Sequence, residues 1–451
     1  MPIPYISLYI LIGAAIAFPL ILLNIKFAPI LGTMDWPKAR GLSDNQIPIV
    51  GYSLVFISVV LLAVLTHIYN TSPWILTTAL VMAVMGYLDD RKPLPATDKM
   101  FLQIVCVVAV VIFDPQIHAT IMVKYGFWGS FLAIFFILGL VNALNFIDGI
   151  DGLAGIVIFT GSLGFLFLAN TKTAHLPYLL FANVLTGMMI PFFYINVIKR
   201  QGFLGNVGSY FFSYLLAIMH LSIPLAAEDP VSRLSINGLC FIVPIADGFI
   251  VVFSRLATLR SPFVADKGHL HHRLIQTNTA LRWVLACFAI IAMAGMSVGV
   301  WLNSTFDIRH SLLPALICIN QIAVGGMLIV LIEKASKRRI QSYFKRLDSG
   351  EPVYFLKYHL QKKNGERISA CLLRRLEAKV SAEIRITDLC FAEKPDTLFV
   401  TLKTLPEPLK GIAARLEPIF QTENVESTLL TDHGEYVKVS YPAKVTILKR
   451  A

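Results

Sequence analysis

The sequence predicts an all-α polytopic membrane protein of about eleven transmembrane helices, followed by a small C-terminal cytoplasmic α+β domain. Three observations carry that prediction. Of 451 residues, 56% are hydrophobic and only 15% charged, and the mean hydropathy is +0.68; no soluble domain of this length has that composition. The apolar residues gather in runs that approach or reach the roughly 17 to 25 residues a helix needs to cross a bilayer. Beyond residue 333 the charge density jumps and the apolar runs stop.

The runs lie at about 6–28, 48–68, 73–88, 100–113, 127–145, 153–169, 177–197, 209–226, 236–255, 282–302 and 312–332. The first holds no Lys or Arg before Lys26, so it lacks the basic start of a signal peptide and reads as an uncleaved span. The third and fourth are short and enclose Asp89, Asp90, Arg91, Lys92 and Lys99. The fifth and sixth are separated by Asp148, Gly149, Asp151 and Gly152, where glycines permit a tight turn into the next helix. The eighth follows Gly205 and Gly208 and has Ser209 as a candidate N-cap. The ninth carries a carboxylate, Asp247, which either pairs with Arg255 about two turns on or supports a site from below.

Orientation follows from Lys and Arg. With the N-terminus outside, thirteen of those before residue 333 fall on the cytoplasmic side (Lys26, Lys38, Arg40, Arg91, Lys92, Lys99, Lys199, Arg200, Arg255, Arg260, Lys267, Arg273 and Arg282) and only Lys124, Lys172, Arg233 and Arg309 outside. That asymmetry is the positive-inside pattern. It divides the chain into a transmembrane catalytic domain, 1–332, and a cytoplasmic C-terminal domain, 333–451. The latter mixes strand-like runs at 383–387 and 397–402, a helical candidate at 407–420 and a terminal hairpin at 436–441 and 444–448.

The net charge is +11, of which the C-terminal part supplies +7 from 22 Lys and Arg against 15 Asp and Glu. Its basic cluster at 334–339 directly follows the last span, where anionic headgroups lie, so the charge points to a membrane surface and to no nucleic acid. Cys106, Cys240, Cys287, Cys318, Cys371 and Cys390 form no CxxC pair, and their placement in helices and a cytoplasmic tail predicts reduced thiols.

On this topology the polar stretches share the cytoplasmic face. Asp89 and Asp90 end an apolar helix; adjacent carboxylates suit a metal-bound diphosphate or a cationic partner, or simply mark the bilayer exit. The stretch 142–155 (NALNFIDGIDGLAG) places Asn145, Asp148 and Asp151 between apolar helices, where ionisable groups point to function. The helices after Gly152 and Gly205 would aim positive N-terminal ends at the same surface, forming a diphosphate cradle. In the loop 261–274, His269 and His272 share a helical face while His271 points away, so phosphate binding is preferred to a zinc site or a solvated basic loop.

Together these stretches resemble the polyprenyl-phosphate N-acetylhexosamine-1-phosphate transferase family, glycosyltransferase family 4. DDRKPL at 89–94 is similar to its DDxxxL element, NALNFIDGIDGLA at 142–154 to its NxxNxxDGxDGLA pattern, and HLHH at 269–272 to the bacterial branch using UDP-N-acetylglucosamine and undecaprenyl phosphate. The resemblance implies transfer of a sugar-1-phosphate from a UDP-sugar to the lipid phosphate, releasing UMP and leaving a lipid-linked diphosphate sugar for envelope polysaccharides such as O-antigen. It implies Mg2+, with Mn2+ able to substitute, an inner-membrane location, and leaves room for a homodimer. Asn145 and Asn206 align with the family's metal ligands; Asp89, Asp90, Asp148 and Asp151 are the implied catalytic carboxylates, as positioning or metal-organising groups first. Phe203 would stack on uracil, and Arg255, His269, His271, His272 and Arg273 would meet phosphates.

The chain departs from the family where Gly41, Ser43, Gln46 and Tyr52 replace the usual Lys, His, Pro and Gly of the first loop. Asn206 stands where the family has a metal-binding Asp and brings no charge to a cation that prefers anionic oxygens. A weakly active homologue acting as a membrane scaffold is therefore one alternative, and a transporter with broken helices is another.

Overall fold

Apolar runs with no water to satisfy their backbone must satisfy it internally, which a helix does. The computed structural model describes residues 3–35, 47–169, 176–223, 229–257 and 281–305, single positions at 225, 270 and 418, scattered positions between 314 and 334, and six strands between 354 and 449. The chain divides into two compact units: Met1–Trp36, Asn45–Phe249 and Leu285–Gly325 form one, and Pro37–Asp44, Ile250–Val284 and Gly326–Ala451 the other.

The helices are α1 (Ile3–Leu31), α2 (Gly51–Ile68), α3 (Trp74–Arg91), α4 (Ala96–Phe113), a single turn α5 (Pro115–Ile117), α6 (Lys124–Ile147), α7 (Leu153–Leu168), α8 (Leu176–Phe193), α9 (Gly205–Ser222), α10 (Pro230–Leu239), α11 (Ile242–Ala257) and α12 (Leu281–Thr305). π-helical turns at His118–Val123 and Tyr194–Lys199 lead into α6 and out of α8. Two short strands, β1 (Met34–Asp35) and β2 (Ile47–Pro48), pair antiparallel.

Ten of the eleven predicted runs coincide with these helices, and the eleventh, 312–332, lies largely outside the described residues. The number of spans differs from the expectation. Among the described residues six helices are long and apolar enough to cross a bilayer, or seven with one bent pair. The shortfall has identifiable causes. Helix α7 has 16 residues, about 24 Å at 1.5 Å per residue. Helix α9 is the centre of the bundle: every one of its residues except Asn206 is buried. A helix surrounded by other helices need not be apolar all round, so its Ser, Tyr and His content lowers its hydropathy without exposing them to lipid.

The predicted ninth run is two helices. Pro230–Cys240 and Ile242–Val252 meet at 103°. Pro244 has no N–H to give the Cys240 carbonyl, so a continuous ladder fails at that point. Asp229 starts α10 instead, accepting the Ser232 N–H at 2.8 Å.

Glycines set the closest helix crossings. A Cβ at Gly86 of α3 would lie 2.5 Å from Val207 Cα and 2.6 Å from the Asn206 carbonyl oxygen of α9. A Cβ at Gly51 would run into the Leu204 carbonyl. These contacts bring the starts of α2 and α9 and the end of α3 to one place.

The second unit contains a four-stranded antiparallel sheet in the order β4 (Leu389–Lys394), β5 (Thr397–Leu402), β3 (Tyr354–Lys362), β6 (Val425–Thr431). Strands β7 (Glu435–Ser440) and β8 (Lys444–Lys449) pair from Glu435↔Lys449 to Ser440↔Lys444. The strands expected at 397–402 and the terminal hairpin are thus present, while the expected strand at 383–387 lies outside the described residues, as does the helix expected at 407–420 but for position 418.

Candidate functional site

The polar stretches at 86–94, 142–155 and 199–209 meet where α3 and α6 end and α9 begins. Asp89 is 4% exposed and has its charge fully engaged. Its Oδ1 accepts the Leu94 N–H at 2.8 Å and the Lys99 ammonium at 3.2 Å. Its Oδ2 accepts Lys99 again at 3.1 Å, the Asn206 side-chain amide at 2.9 Å and the Tyr210 hydroxyl at 3.4 Å. Asn145 on α6 completes the cluster, donating to Asn206 Oδ1 at 2.9 Å and Ser209 Oγ at 2.8 Å and accepting from Tyr210 at 3.3 Å. Because a carboxylate can only accept, Asp89 fixes which end of the Asn206 amide faces it.

Asp90 does something else. Its two oxygens accept the backbone N–H groups of Asn206 and Val207 at 2.9 and 3.1 Å, satisfying donors that the first turn of a helix leaves open. Gly205, with φ of +73°, makes the turn, and a Cβ there would lie 3.1 Å from Asp90 Oδ2. Two expectations are corrected here. Ser209 lies inside α9 and accepts from Asn145, so it is not the N-cap. The N-terminus of α9 already holds a carboxylate, so it is no vacant half of a diphosphate cradle. The N-cap residue of α7, Gly152 with φ of +87°, makes no side-chain cap.

Asp148 and Asp151 lie in the turn between α6 and α7. Loss of solvation, then the charges of Asp90 and Asp151, push the Asp148 carboxyl well above the usual carboxylate range. Loss of solvation also raises Asp151, against the opposing pull of Arg200 and a hydrogen bond from Asn196. That bond spans 3.4 Å. Asn196, buried in the π-helical turn, also accepts the Gly152 N–H at 2.5 Å and donates to the Gly202 carbonyl at 2.8 Å, tying the turn before α7 to the segment before α9. Phe203 is held extended and half-buried: its N–H reaches the Pro48 carbonyl at 3.2 Å and its carbonyl takes the Val50 N–H at 2.9 Å.

Among the expected site residues, Asp89, Asp90, Asn145 and Asn206 are brought into one hydrogen-bonded group, with Asp148 and Asp151 electrostatically adjacent. His269, His271, His272, Arg273, Gly41, Ser43 and Gln46 lie outside the described residues, as does the side chain of Arg255; Asp247 is buried in α11. Sequence reasoning missed Lys99, Tyr210 and Asn196 as members. Lys99 had a signal: with Gln103 it forms an i, i+4 polar pair on apolar α4, and Gln103, fully buried, accepts from Asn142 at 2.7 Å one turn below the cluster.

The donor chemistry tests the implied magnesium. Asn206 presents its N–H end to Asp89 and spends its oxygen on Asn145, and among the described residues no three Asp, Glu, His or Cys side chains converge on a common point. The Asn145 and Asn206 pair does not fit a divalent cation, which takes anionic oxygens at close range.

The described helices are those of a multi-pass membrane protein, and the proteins it is similar to are enzymes of the transferase class. Residues 72–223, which hold most of the polar centre, match the family model for glycosyl transferase family 4. The chain is similar to the probable undecaprenyl-phosphate N-acetylglucosaminyl 1-phosphate transferase of Bacillus subtilis (strain 168), at 27% identity over 60% of this chain and 80% of the relative. It is also similar to the undecaprenyl-phosphate alpha-N-acetylglucosaminyl 1-phosphate transferase of Escherichia coli (strain K12), at 24% identity over 61% and 78%. The decaprenyl-phosphate N-acetylglucosaminephosphotransferase of Mycobacterium tuberculosis is 27% identical over 56% and 72%.

Proposed function

We propose that the protein transfers a sugar-1-phosphate, GlcNAc-1-phosphate, from a UDP-sugar to undecaprenyl phosphate at the cytoplasmic face of a bacterial inner membrane. UMP leaves and a lipid-linked diphosphate sugar remains. The observation that carries this reading is the convergence of three sequence-distant polar stretches into one centre within the family-matched segment. The names of the relatives support the substrate classes.

One phosphoanhydride replaces another, so no ATP is required. A phosphomonoester has its second pKa near 6; the lipid phosphate is mostly dianionic at neutral pH and a general base adds little. The work left to this chain is alignment. Lys99, 24% exposed at its side chain, brings positive charge to the centre while anchored on Asp89. The turn bearing Asp148 and Asp151 is fixed by Asn196, which also holds the backbone next to Phe203, the candidate partner for the nucleobase.

The deciding assay is exchange of labelled UMP into UDP-GlcNAc together with lipid product formation from undecaprenyl phosphate, run with and without Mg2+ or Mn2+. Product and exchange are expected; neither, with any UDP-N-acetylhexosamine, would leave the scaffold reading in place. The catalytic unit is assigned to residues 1–332, so a chain ending near Lys337 should retain product formation.

A further inference from the structure

Asp89 is nearly fully buried, and its acceptors are filled entirely by protein donors: the Leu94 N–H, the Lys99 ammonium, the Tyr210 hydroxyl and the Asn206 amide. Asp90, also bonded in this group, accepts the first N–H groups of α9. Lys99 thus stands opposite Asp89, the first turn of α9 takes Asp90, and the amide links Asp89 to Asn145. We propose that the Asn206 side chain acts as an internal substitute for a counter-ion. Its amide protons let Asp89, Asn145 and α9 assemble without a divalent cation, and Asn206 is in this sense a positioning residue.

The argument is one of donors and acceptors. A carboxylate at 206 has no proton for Asp89 Oδ2, and the 2.9 Å contact would set two negative charges together. Such a pair either raises one pKa strongly or recruits a cation. Asn145 could still donate to the new carboxylate, which leaves the Asp89 side as the unsatisfied one. The amide at 206 removes that conflict before any substrate arrives, so the inference concerns assembly of the centre and stands apart from any cation carried in by a substrate diphosphate.

Thermal unfolding of the full-length protein in detergent, in EDTA and in millimolar MgCl2, tests this, with bound Mn2+ read by electron paramagnetic resonance. The native protein should melt at the same temperature in both solutions. Asn206→Asp should melt several degrees lower in EDTA, recover in MgCl2 and bind Mn2+ that the native protein does not hold. The double exchange Asp89→Asn with Asn206→Asp puts the amide and carboxylate back opposite each other and should return to cation independence. A native protein that EDTA destabilises as much as it does Asn206→Asp would overturn the proposal, as would an Asn206→Asp protein indifferent to cations. If Asn206→Asp yields no folded protein in either solution, the double exchange decides: a stable, cation-indifferent protein supports the proposal, and a second failure to fold refutes it.

Discussion

Asp90 accepts the backbone N–H of Asn206 at 2.9 Å across a separation of 116 residues, so the end of α3 caps the start of α9. The neighbouring side chain, Asp89, binds the Asn206 amide at the same time. One dipeptide thus fixes both the backbone and the side chain of the same residue. Replacing Asp90 with Ala should cost about 1–2 kcal/mol, the upper part of the range for a lost N-cap, and Asp90→Asn less, since an amide oxygen still accepts. Chemical or thermal denaturation in detergent measures this; equal stability of Asp90→Ala and the native protein would remove the capping role.

Lys99 and Asp89 form the bidentate ion pair of the centre. Lys99→Met would leave a buried carboxylate without its ammonium; breaking a buried pair costs about 3–5 kcal/mol, and partial exposure of Lys99 puts the expectation at the lower end. Asp89→Asn should reduce turnover by at least about 10²-fold, as expected where fixed charge lowers the barrier by several kcal/mol. UMP exchange by folded Asp89→Asn at the native rate would reduce this carboxylate to a structural role.

Much of this centre was legible because its groups are expensive where they lie. Asp89, Asp148, Asp151 and Asn145 stand out among apolar runs, and their spacing carries a family pattern. The pairing was not legible. That Asp90 caps α9 depends on a close approach of α3 and α9 at Gly86, which no local spacing encodes. Lys99 was read as a topological charge because its polar helix face spans only one turn, to Gln103. Among the described residues fewer helices than expected are long and apolar enough to span a bilayer, for reasons that apolar runs do not reveal: Pro244 breaks the ninth run, and α9 is polar because protein surrounds it.

Asp148 gives the pH dependence. Its folded-state pKa is raised by loss of solvation and by Asp90 and Asp151, so the folded state binds the proton more tightly than the unfolded state. Stability from this group is present below the ordinary carboxylate pKa and is lost as pH rises toward the raised value. Asp148→Asn should therefore melt higher than the native protein at pH 7 and no higher at pH 4, while losing turnover by about 10²-fold if the charge aligns substrate. Melting curves at both pH values check the first part; a native protein that gains on Asp148→Asn between pH 4 and 7 would reverse the sign.

Gly86 is where geometry and function are tied most closely. A Cβ there meets Val207 Cα and the Asn206 carbonyl oxygen at 2.5 and 2.6 Å, both backbone atoms of a buried helix that cannot swing aside as a side chain would. Gly86→Ala should cost about 1–3 kcal/mol, the usual range for overpacking. Because α9 must move away from α3, the Asp90 cap and the Asp89 to Asn206 bond should lengthen together, so exchange should fall by about 10-fold or more, as 1.4 kcal/mol of lost alignment would give. Gly139→Ala is the matched control. It lies on α6, the helix that carries Asn145, and its added Cβ meets nothing within 4 Å, so removal of helix-interior glycine should leave stability unchanged or raised by about 0.5–1 kcal/mol and leave exchange intact. Equal activity of the two variants would show that the α3 and α9 crossing does not position the centre.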